Sequence, residues 1–374
     1  MTRVVVTGAR GFIGRHVMLA FAARPGTEVC GLDIDDDPSV LARAVADADV
    51  IVHLAGVNRP TDEADFARGN ADLTAKVCEF AEHAGRHPLL ILASSIHATG
   101  DTPYGASKRR AEDAVAEFAA RGGGAGVVLR MSNVFGKWSR PHYNSAVATF
   151  CYSIARGLPV AVSDPARDVA LVYIDDVVAT MLEIIDAPPA RGTCDWREPG
   201  PVVPVPLSRL VAHLEAFRDM RTTLVVPDFR DDFTRKLYAT YLSFLPGESF
   251  SYALETRVDP RGALAEFIKG EAFGQIFVSR TSPGITRGNH YHHTKTEKFL
   301  VVEGNAVVRF RQLESETVIE HHVTGQEFRV VDIPPGYTHS IENVGTGEMV
   351  CLFWASEPFD PTHPDTLMEP VLRG

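Results

Sequence analysis

Tyr104 and Lys108 stand four positions apart in the run Tyr-Gly-Ala-Ser-Lys. On a helix that spacing puts a phenol and an ammonium on one face. The cation then lowers the phenol pKa, and Tyr104 becomes a proton donor or acceptor usable near neutral pH. Ser95, a short way upstream, offers a hydroxyl that can hold a substrate carbonyl. A second set lies far downstream. His290 and His292 alternate along what reads as a strand, which would project both imidazoles from one face, and Glu297 and His339 follow. Three imidazoles and a carboxylate suit Zn²⁺ or another divalent first-row metal. A third set opens the chain, where Gly8, Gly11 and Gly14 follow the spacing G-x-x-G-x-x-G. The first glycine permits a tight turn, the second lets a pyrophosphate approach the backbone, and the third lets a new helix pack close to the preceding strand.

Each set needs elements to hold it. Val4, Val5 and Val6 form the β-branched run of a strand buried on both faces, and an apolar helix follows Gly14. The free N–H groups at that helix start attract phosphates, so the turn residues Arg10, Phe12 and Ile13 join the glycines as cofactor contacts. Residues 28–33 read as a second strand whose terminal Asp33 accepts hydrogen bonds from an adenosine ribose. Asp35, Asp36 and Asp37 come next with no arginine near them in the sequence; they would repel a 2′-phosphate and favour NADH over NADPH. Residues 49–56 form another buried strand, ending in a turn (Leu54, Ala55) against which a cofactor can lie. Leu89–Ser95 is a further strand that delivers hydroxyls to the sheet edge where ligands of open α/β sheets collect. Residues 133–144 mix amide, aromatic and basic groups on a loop.

These pieces resemble the extended short-chain dehydrogenase/reductase family from Val4 to about Asp186, through TGARGFIG, HLAG at 53–56, Asn70, Ser95, YGASK, LRMSNVFG at 129–136 and VYIDDVV at 172–178. The resemblance implies a doubly wound Rossmann sheet, a nicotinamide cofactor contacted also by Asn70, Tyr104 and Lys108, and Ser95, Tyr104 and Lys108 as catalytic residues. Many members act on nucleotide-activated sugars. In the family the 133–144 region contacts the sugar nucleotide, which implicates Asn133, Lys137, Arg140 and His142 here. The loop between Ser95 and Tyr104 is shorter than is usual in the family. The substrate mouth is therefore more open, or closed by another element.

Near residue 245 the pattern changes to short Val-, Phe- and Ile-rich segments separated by Gly and Pro, which predicts an antiparallel sandwich or barrel. Gly284-x5-His290-x-His292-x4-Glu297-x6-Gly304 is similar to the first cupin motif, and Pro334-x-Gly336-x2-His339-x3-Asn343 to the second, with Phe328 where that motif's leading glycine falls. The stretch also resembles the deoxysugar 3,5-epimerases of the cupin fold, in which the histidine matching His290 is a base and metal is generally absent. If His290 instead binds a metal, it is not the free base. The metal would then polarise a ketone as a Lewis acid, leaving the proton to Glu297 or Tyr337.

The expected division is a Rossmann reductase domain at 1–244 and an all-β jelly-roll cupin domain at 245–374. This order of domains resembles the bifunctional capsular-polysaccharide enzymes of the UDP-N-acetyl-L-fucosamine pathway across essentially the whole chain. It implies C3 epimerisation of a UDP-2-acetamido-2,6-dideoxy-4-hexulose in the cupin domain, then NAD(P)H-dependent reduction of the C4 ketone to UDP-2-acetamido-2,6-dideoxy-L-talose. That family is associated with NADPH, against the NADH expected from Asp33. Two other classes fit parts of the sequence: a simple 4-ketoreductase whose cupin only dimerises or binds sugar, and an Fe(II) oxygenase built on the His/Glu set.

With 374 residues, 45% of them hydrophobic, the chain can bury two or three sizeable cores. A net charge of −11 argues against nucleic acid and anionic membranes as partners. No apolar run is long enough to span a membrane, and the first six residues begin a strand rather than a signal peptide. Cys30, Cys78, Cys151, Cys194 and Cys351 are dispersed and odd in number, as expected of reduced thiols in a cytoplasmic protein. A homodimer acting on a UDP-sugar is the expected assembly.

Overall fold

Along the first part of the chain strands and helices alternate: β1 (Thr2–Thr7), α1 (Phe12–Ala22), β2 (Thr27–Leu32), α2 (Pro38–Asp47) and β3 (Val50–His53). A short helix α3 (Ala64–Phe66) continues through a π-helical segment (Ala67–Asp72) into α4 (Leu73–Ala84). Then come β4 (Leu89–Ser95), a 3₁₀ turn (Ile96–Thr99), α5 (Pro103–Ala120), β5 (Ala125–Met131), β6 (Asn133–Phe135), α6 (Ala146–Ile154), β7 (Asp168–Tyr173), α7 (Ile174–Asp186), β8 (Cys194–Arg197) and β9 (Val202–Pro206). Helices α8 (Leu207–Thr223) and α9 (Asp232–Leu242) follow. The computed structural model describes residues 1–313 and 315–373. Two compact units emerge, one of Met1–Leu214 with Lys236–Leu245, the other of Glu215–Arg235 with Pro246–Gly374.

In the first unit a parallel sheet runs in the order β2-β1-β3-β4-β5-β8. Its central strands β3 and β4 are buried at every position, and their side chains are mostly apolar, because both faces are covered. Alternation sorts the side chains. Val4, Val6, Val50, Val52, Leu89 and Ile91 pack on one face with α1 and α7, while Val5, Ile51, Leu90, Leu92 and Val128 pack on the other with α2, α4 and α5. From β1 the chain first builds outward to β2, then crosses to β3 on the other side. That reversal opens a crevice at the carboxyl ends of β1 and β3, the position where such sheets bind ligands. This is a Rossmann-type fold. Strands β6, β7 and β9 form a separate three-stranded sheet.

From Thr256 onward the second unit is all-β, a jelly-roll of two antiparallel sheets. Its strands are β10 (Thr256–Asp259), β11 (Gly262–Gly270), β12 (Gly274–Thr281), β13 (Thr286–Tyr291), β14 (Glu297–Glu303), β15 (Asn305–Gln312), β16 (Val318–Thr324), β17 (Val330–Ile333), β18 (Tyr337–Asn343), β19 (Met349–Ala355) and β20 (Leu367–Met368). One sheet runs β10-β11-β12-β19-β14-β17 and the other β16-β15-β18-β13-β20. Both contribute to one core: Phe299, Val301 and Phe353 from the first meet Val308, Phe310 and Ile341 from the second.

Residues 215–235, expected in the first domain, fall in the second unit. The reason is main-chain pairing: Val226 N–H donates to Lys269 O at 2.8 Å and Lys269 N–H to Leu224 O at 2.8 Å. Among the described residues no helix is long and apolar enough to cross a membrane.

Candidate active sites

The glycine turn is built as its spacing requires. Gly8 adopts φ +69°, and a Cβ there would stand 2.8 Å from Ala55 N. A Cβ on Gly14 would stand 2.2 Å from Gly8 O, so only glycine lets α1 lie this close to the turn. Helix α1 begins at Phe12, and Gly11 at its N-cap supplies no capping side chain. Its first N–H groups therefore remain donors for an anion. Phe12 and Ile13 pack against the sheet core. Across the crevice, Leu54 N–H donates to Thr7 O at 3.2 Å and Ala55 N–H to Thr7 Oγ1 at 3.2 Å, tying the end of β3 to the end of β1.

Asp33 lies one residue beyond β2 and accepts the Arg10 backbone N–H at 2.8 Å. Here the fold corrects one expectation. The sequence places no arginine near these acids, yet the Arg10 guanidinium lies 3.7, 3.4 and 3.6 Å from Asp33, Asp35 and Asp36. Parallel pairing of β1 with β2 is what brings residue 10 to the acids.

Thr102 caps α5, its hydroxyl accepting Gly105 N–H at 3.0 Å, with Pro103 in the first turn. This helix delivers Tyr104 and Lys108. The Lys108 ammonium is buried and donates to Ala93 O at 3.0 Å; burial lowers its pKa to about 8, with Glu112 opposing. Tyr104 differs from expectation. Burial pushes its pKa up, and the opposing influence is a hydrogen bond with the Ser95 side chain rather than the Lys108 charge. Ser95 Oγ also accepts His97 N–H at 3.2 Å from the 3₁₀ turn, the short connection noted in the sequence. Asn70 engages its amide within the protein: Nδ2 donates to Val57 O and to Ser107 Oγ at 3.0 Å each, and Oδ1 accepts Val57 N–H at 2.9 Å. It braces the turn after β3 against α5.

One group here was not singled out from the sequence. Glu112 is 2% exposed and accepts from Ser94 Oγ at 2.5 Å, Arg130 Nη2 at 2.6 Å and Trp196 Nε1 at 3.3 Å. It locks the end of β4, next to Ser95, onto α5. Its place one helical turn beyond Lys108 was the available signal.

Half of the 133–144 segment is exposed, while Phe135, Gly136 and Ser139 are buried. Asn133 Nδ2 donates to Ala170 O at 3.1 Å, Lys137 lies 3.7 Å from Asp175, and Arg140 covers the Tyr143 ring at 5.2 Å. The His142 ring meets Tyr152 edge-on at 5.4 Å.

In the second unit the metal-type residues converge. Strand β13 bulges between Gly288 and His290, where it faces β18, and Asn289 takes φ +58°. The bulge precedes the two histidines; β13 ends at Tyr291, His292 lies just past it, 1% exposed, and both imidazoles reach one cluster. His290 pairs across the strands with His339, their ring centroids 4.5 Å apart. Glu297 Oε2 on β14 stands 3.3 Å from His292 Nε2 and 3.4 Å from His339 Nε2. One ligand atom from each of the four residues lies within 4.8 Å of all the others.

These residues fit a metal ion. The Nε2 atoms of His292 and His339 are buried and make no hydrogen bond, a costly arrangement unless a cation shares their lone pairs. The other nitrogen of His292, Nδ1, is engaged by Asp365 O, which directs Nε2 inward. Burial alone would raise the Glu297 pKa, but His292 and His339 outweigh it and hold the carboxylate well below its usual range. Burial lowers His290 to about 4, keeping its imidazole neutral. The cluster opens into a cavity of about 210 Å³ whose walls include His290, His292, Glu297, Arg257 and Lys295. Lys295 was not singled out from the sequence.

Residues 4–193 match the NAD dependent epimerase/dehydratase family, and residues 257–367 match the polysaccharide biosynthesis C-terminal domain. The chain is 42% identical, over 372 residues and 100% of both proteins, to a UDP-2-acetamido-2,6-beta-L-arabino-hexul-4-ose reductase of Pseudomonas aeruginosa. The crystal structure of the capsular polysaccharide assembling protein CapF from Staphylococcus aureus superposes with a TM-score of 0.90 at 41% identity, over 98% of this chain and 100% of that one. A UDP-glucuronic acid 4-epimerase from Bacillus cereus, solved with NAD, shares the fold at 20% identity and a TM-score of 0.52 over 57% of this chain and 84% of its own.

Proposed function

Because the chain belongs to the NAD dependent epimerase/dehydratase family and, within it, to the CapF-like capsular polysaccharide enzymes, we propose that it converts a UDP-2-acetamido-2,6-dideoxy-4-hexulose in two steps, one in each unit. The second unit inverts C3 of the keto-sugar, and the first reduces the C4 ketone to give UDP-2-acetamido-2,6-dideoxy-L-talose. The order is chemically coherent, since a C4 ketone acidifies the C3 proton and its later reduction locks the new configuration.

In the first unit a bound reduced nicotinamide supplies the hydride. The glycine turn and the start of α1 hold its pyrophosphate, and Asp33 its ribose. Ser95 orients the ketone, Tyr104 protonates the forming alkoxide, and the Lys108 ammonium keeps the site cationic during that transfer. Lys137, Arg140 and His142 meet the diphosphate of the sugar nucleotide, and Asn133 its polar edge. NADH is used at least comparably to NADPH, because Arg10 is already matched by Asp33, Asp35 and Asp36.

In the second unit His290, His292, Glu297 and His339 hold a divalent cation, which supplies Lewis acidity toward a ketone oxygen when bound. The observation that carries the two-step reading is the pair of orphaned, buried Nε2 atoms facing one carboxylate at the wall of a cavity. The test is product analysis by NMR with the full chain. His339→Ala is expected to lose metal and C3 inversion while still reducing a pre-inverted 4-keto substrate. Unchanged C3 inversion in a metal-depleted His339→Ala enzyme would refute the assignment. The ratio of kcat/KM values for NADH and NADPH checks the cofactor assignment, and a strong NADPH preference would reverse it.

A further inference from the structure

We propose that Lys295 is a catalytic residue of the second unit, its ammonium donating a hydrogen bond to the C4 oxygen of the keto-sugar as C3 is deprotonated. The inference rests on the epimerase reading of that site. Lysine is almost never buried without a charged partner, yet Lys295 is 6% exposed. Its Nζ donates to one group, the Thr366 hydroxyl at 3.1 Å, and among the described residues no carboxylate pairs with it. An ammonium has three N–H donors, so two remain for the cavity that Lys295 lines together with His290, His292 and Glu297.

The neighbouring cations are otherwise engaged. Arg257 lies 3.6 Å from Glu266, and Lys298 is exposed and paired with Asp332. Lys295 is also rigidly held. The Asp365 carboxylate accepts the backbone N–H groups of His293, Thr294 and Lys295 at 2.8 Å each, and the next residue, Thr366, receives the ammonium. One stretch of chain therefore fixes the loop, the His292 ring and the Lys295 head together.

The chemistry needs such a group. When the C3–H bond breaks, its proton passes to Glu357, a carboxylate of the cavity wall that is not among the metal-type residues, and its electron pair becomes the C3–C4 π bond. The former carbonyl π pair then resides on the C4 oxygen. A fixed, water-poor ammonium stabilises that developing charge far more than one in solvent. Delivery of a proton from water to the opposite face of C3 reverses the electron flow, and the carboxylate returns its proton to solvent. Lys295 keeps all three protons throughout.

The test uses the full chain in D₂O without nicotinamide, following deuterium entry at C3 of a UDP-4-keto-sugar. Lys295→Met is expected to lower kcat for exchange by about 10²–10³-fold, with KM and bound metal unchanged, and Lys295→Arg to recover part of the loss. Thr366→Val, which frees the ammonium from its anchor, is expected to give a smaller loss in kcat and answers the same question if Lys295→Met does not fold. Exchange at the wild-type kcat in Lys295→Met would overturn the proposal, as would loss of metal, or a rise in KM alone, which would mark a diphosphate anchor. Absence of exchange in the metal-loaded wild-type protein would instead reject the epimerase reading itself.

Discussion

At the scale of single residues, the first site separates the roles of two ionisable groups by where burial drives them. Burial raises the Tyr104 pKa and so keeps the phenol protonated past its ordinary range, while it lowers Lys108 to about 8. Lys108 is therefore the first of the pair to lose its working form as pH rises. Below about 8 it is cationic; above that it is neutral. The reduction rate is expected to fall as pH rises through about 8, and Lys108→Met to remove that limb from the profile. An alkaline limb that stays near 8 in Lys108→Met would assign the titration elsewhere. Tyr104→Phe removes the proposed proton donor and is expected to slow hydride transfer by about 10²–10⁴-fold with cofactor binding retained, measured by single-turnover oxidation of the reduced cofactor. A wild-type rate in that variant would end the assignment.

At the scale of elements, strand β1, its turn and helix α1 form one close-packed unit. A methyl group at Gly14 would stand 2.2 Å from Gly8 O and 2.7 Å from Ala9 O, and backbone atoms cannot step aside as a flexible side chain can. Gly14→Ala is expected to cost about 1–3 kcal/mol of stability, measured by urea unfolding, and to weaken nicotinamide binding as α1 moves off the turn. An unchanged unfolding midpoint would contradict this packing account. Elements of this kind were legible in the sequence because their signals are local: three glycines, a β-branched run, alternating short strands beyond residue 245. What escaped was set by distant chain. The Arg10 side chain meets Asp35 and Asp36 only through the register of β1 with β2. Nothing local in the sequence marks Lys295, whose contacts with Asp365 and Thr366 come from the far end of the chain. The bulge at Gly288–His290 depends on pairing with β18, and residues 215–235 join the second unit through a main-chain ladder to Lys269 that helical periodicity does not register.

At the scale of the whole molecule, the chain joins a nicotinamide-type crevice to a cluster of three imidazoles and a carboxylate, each complete within its own compact unit. Enolisation at C3 requires no hydride, and hydride transfer to C4 requires no metal ligand from the second unit, so the two proposed steps are expected to be separable by substitution in the intact protein. The most direct measurement is deuterium entry at C3 of a UDP-2-acetamido-2,6-dideoxy-4-hexulose, followed by NMR in D₂O with the full-length, metal-loaded protein and no nicotinamide. The account predicts C3 exchange in the wild type and in Tyr104→Phe, and its loss in His339→Ala together with the metal. A wild-type protein that binds metal and reduces the C4 ketone, yet leaves C3 free of deuterium, would contradict it and leave the second unit as a sugar-binding or assembly module.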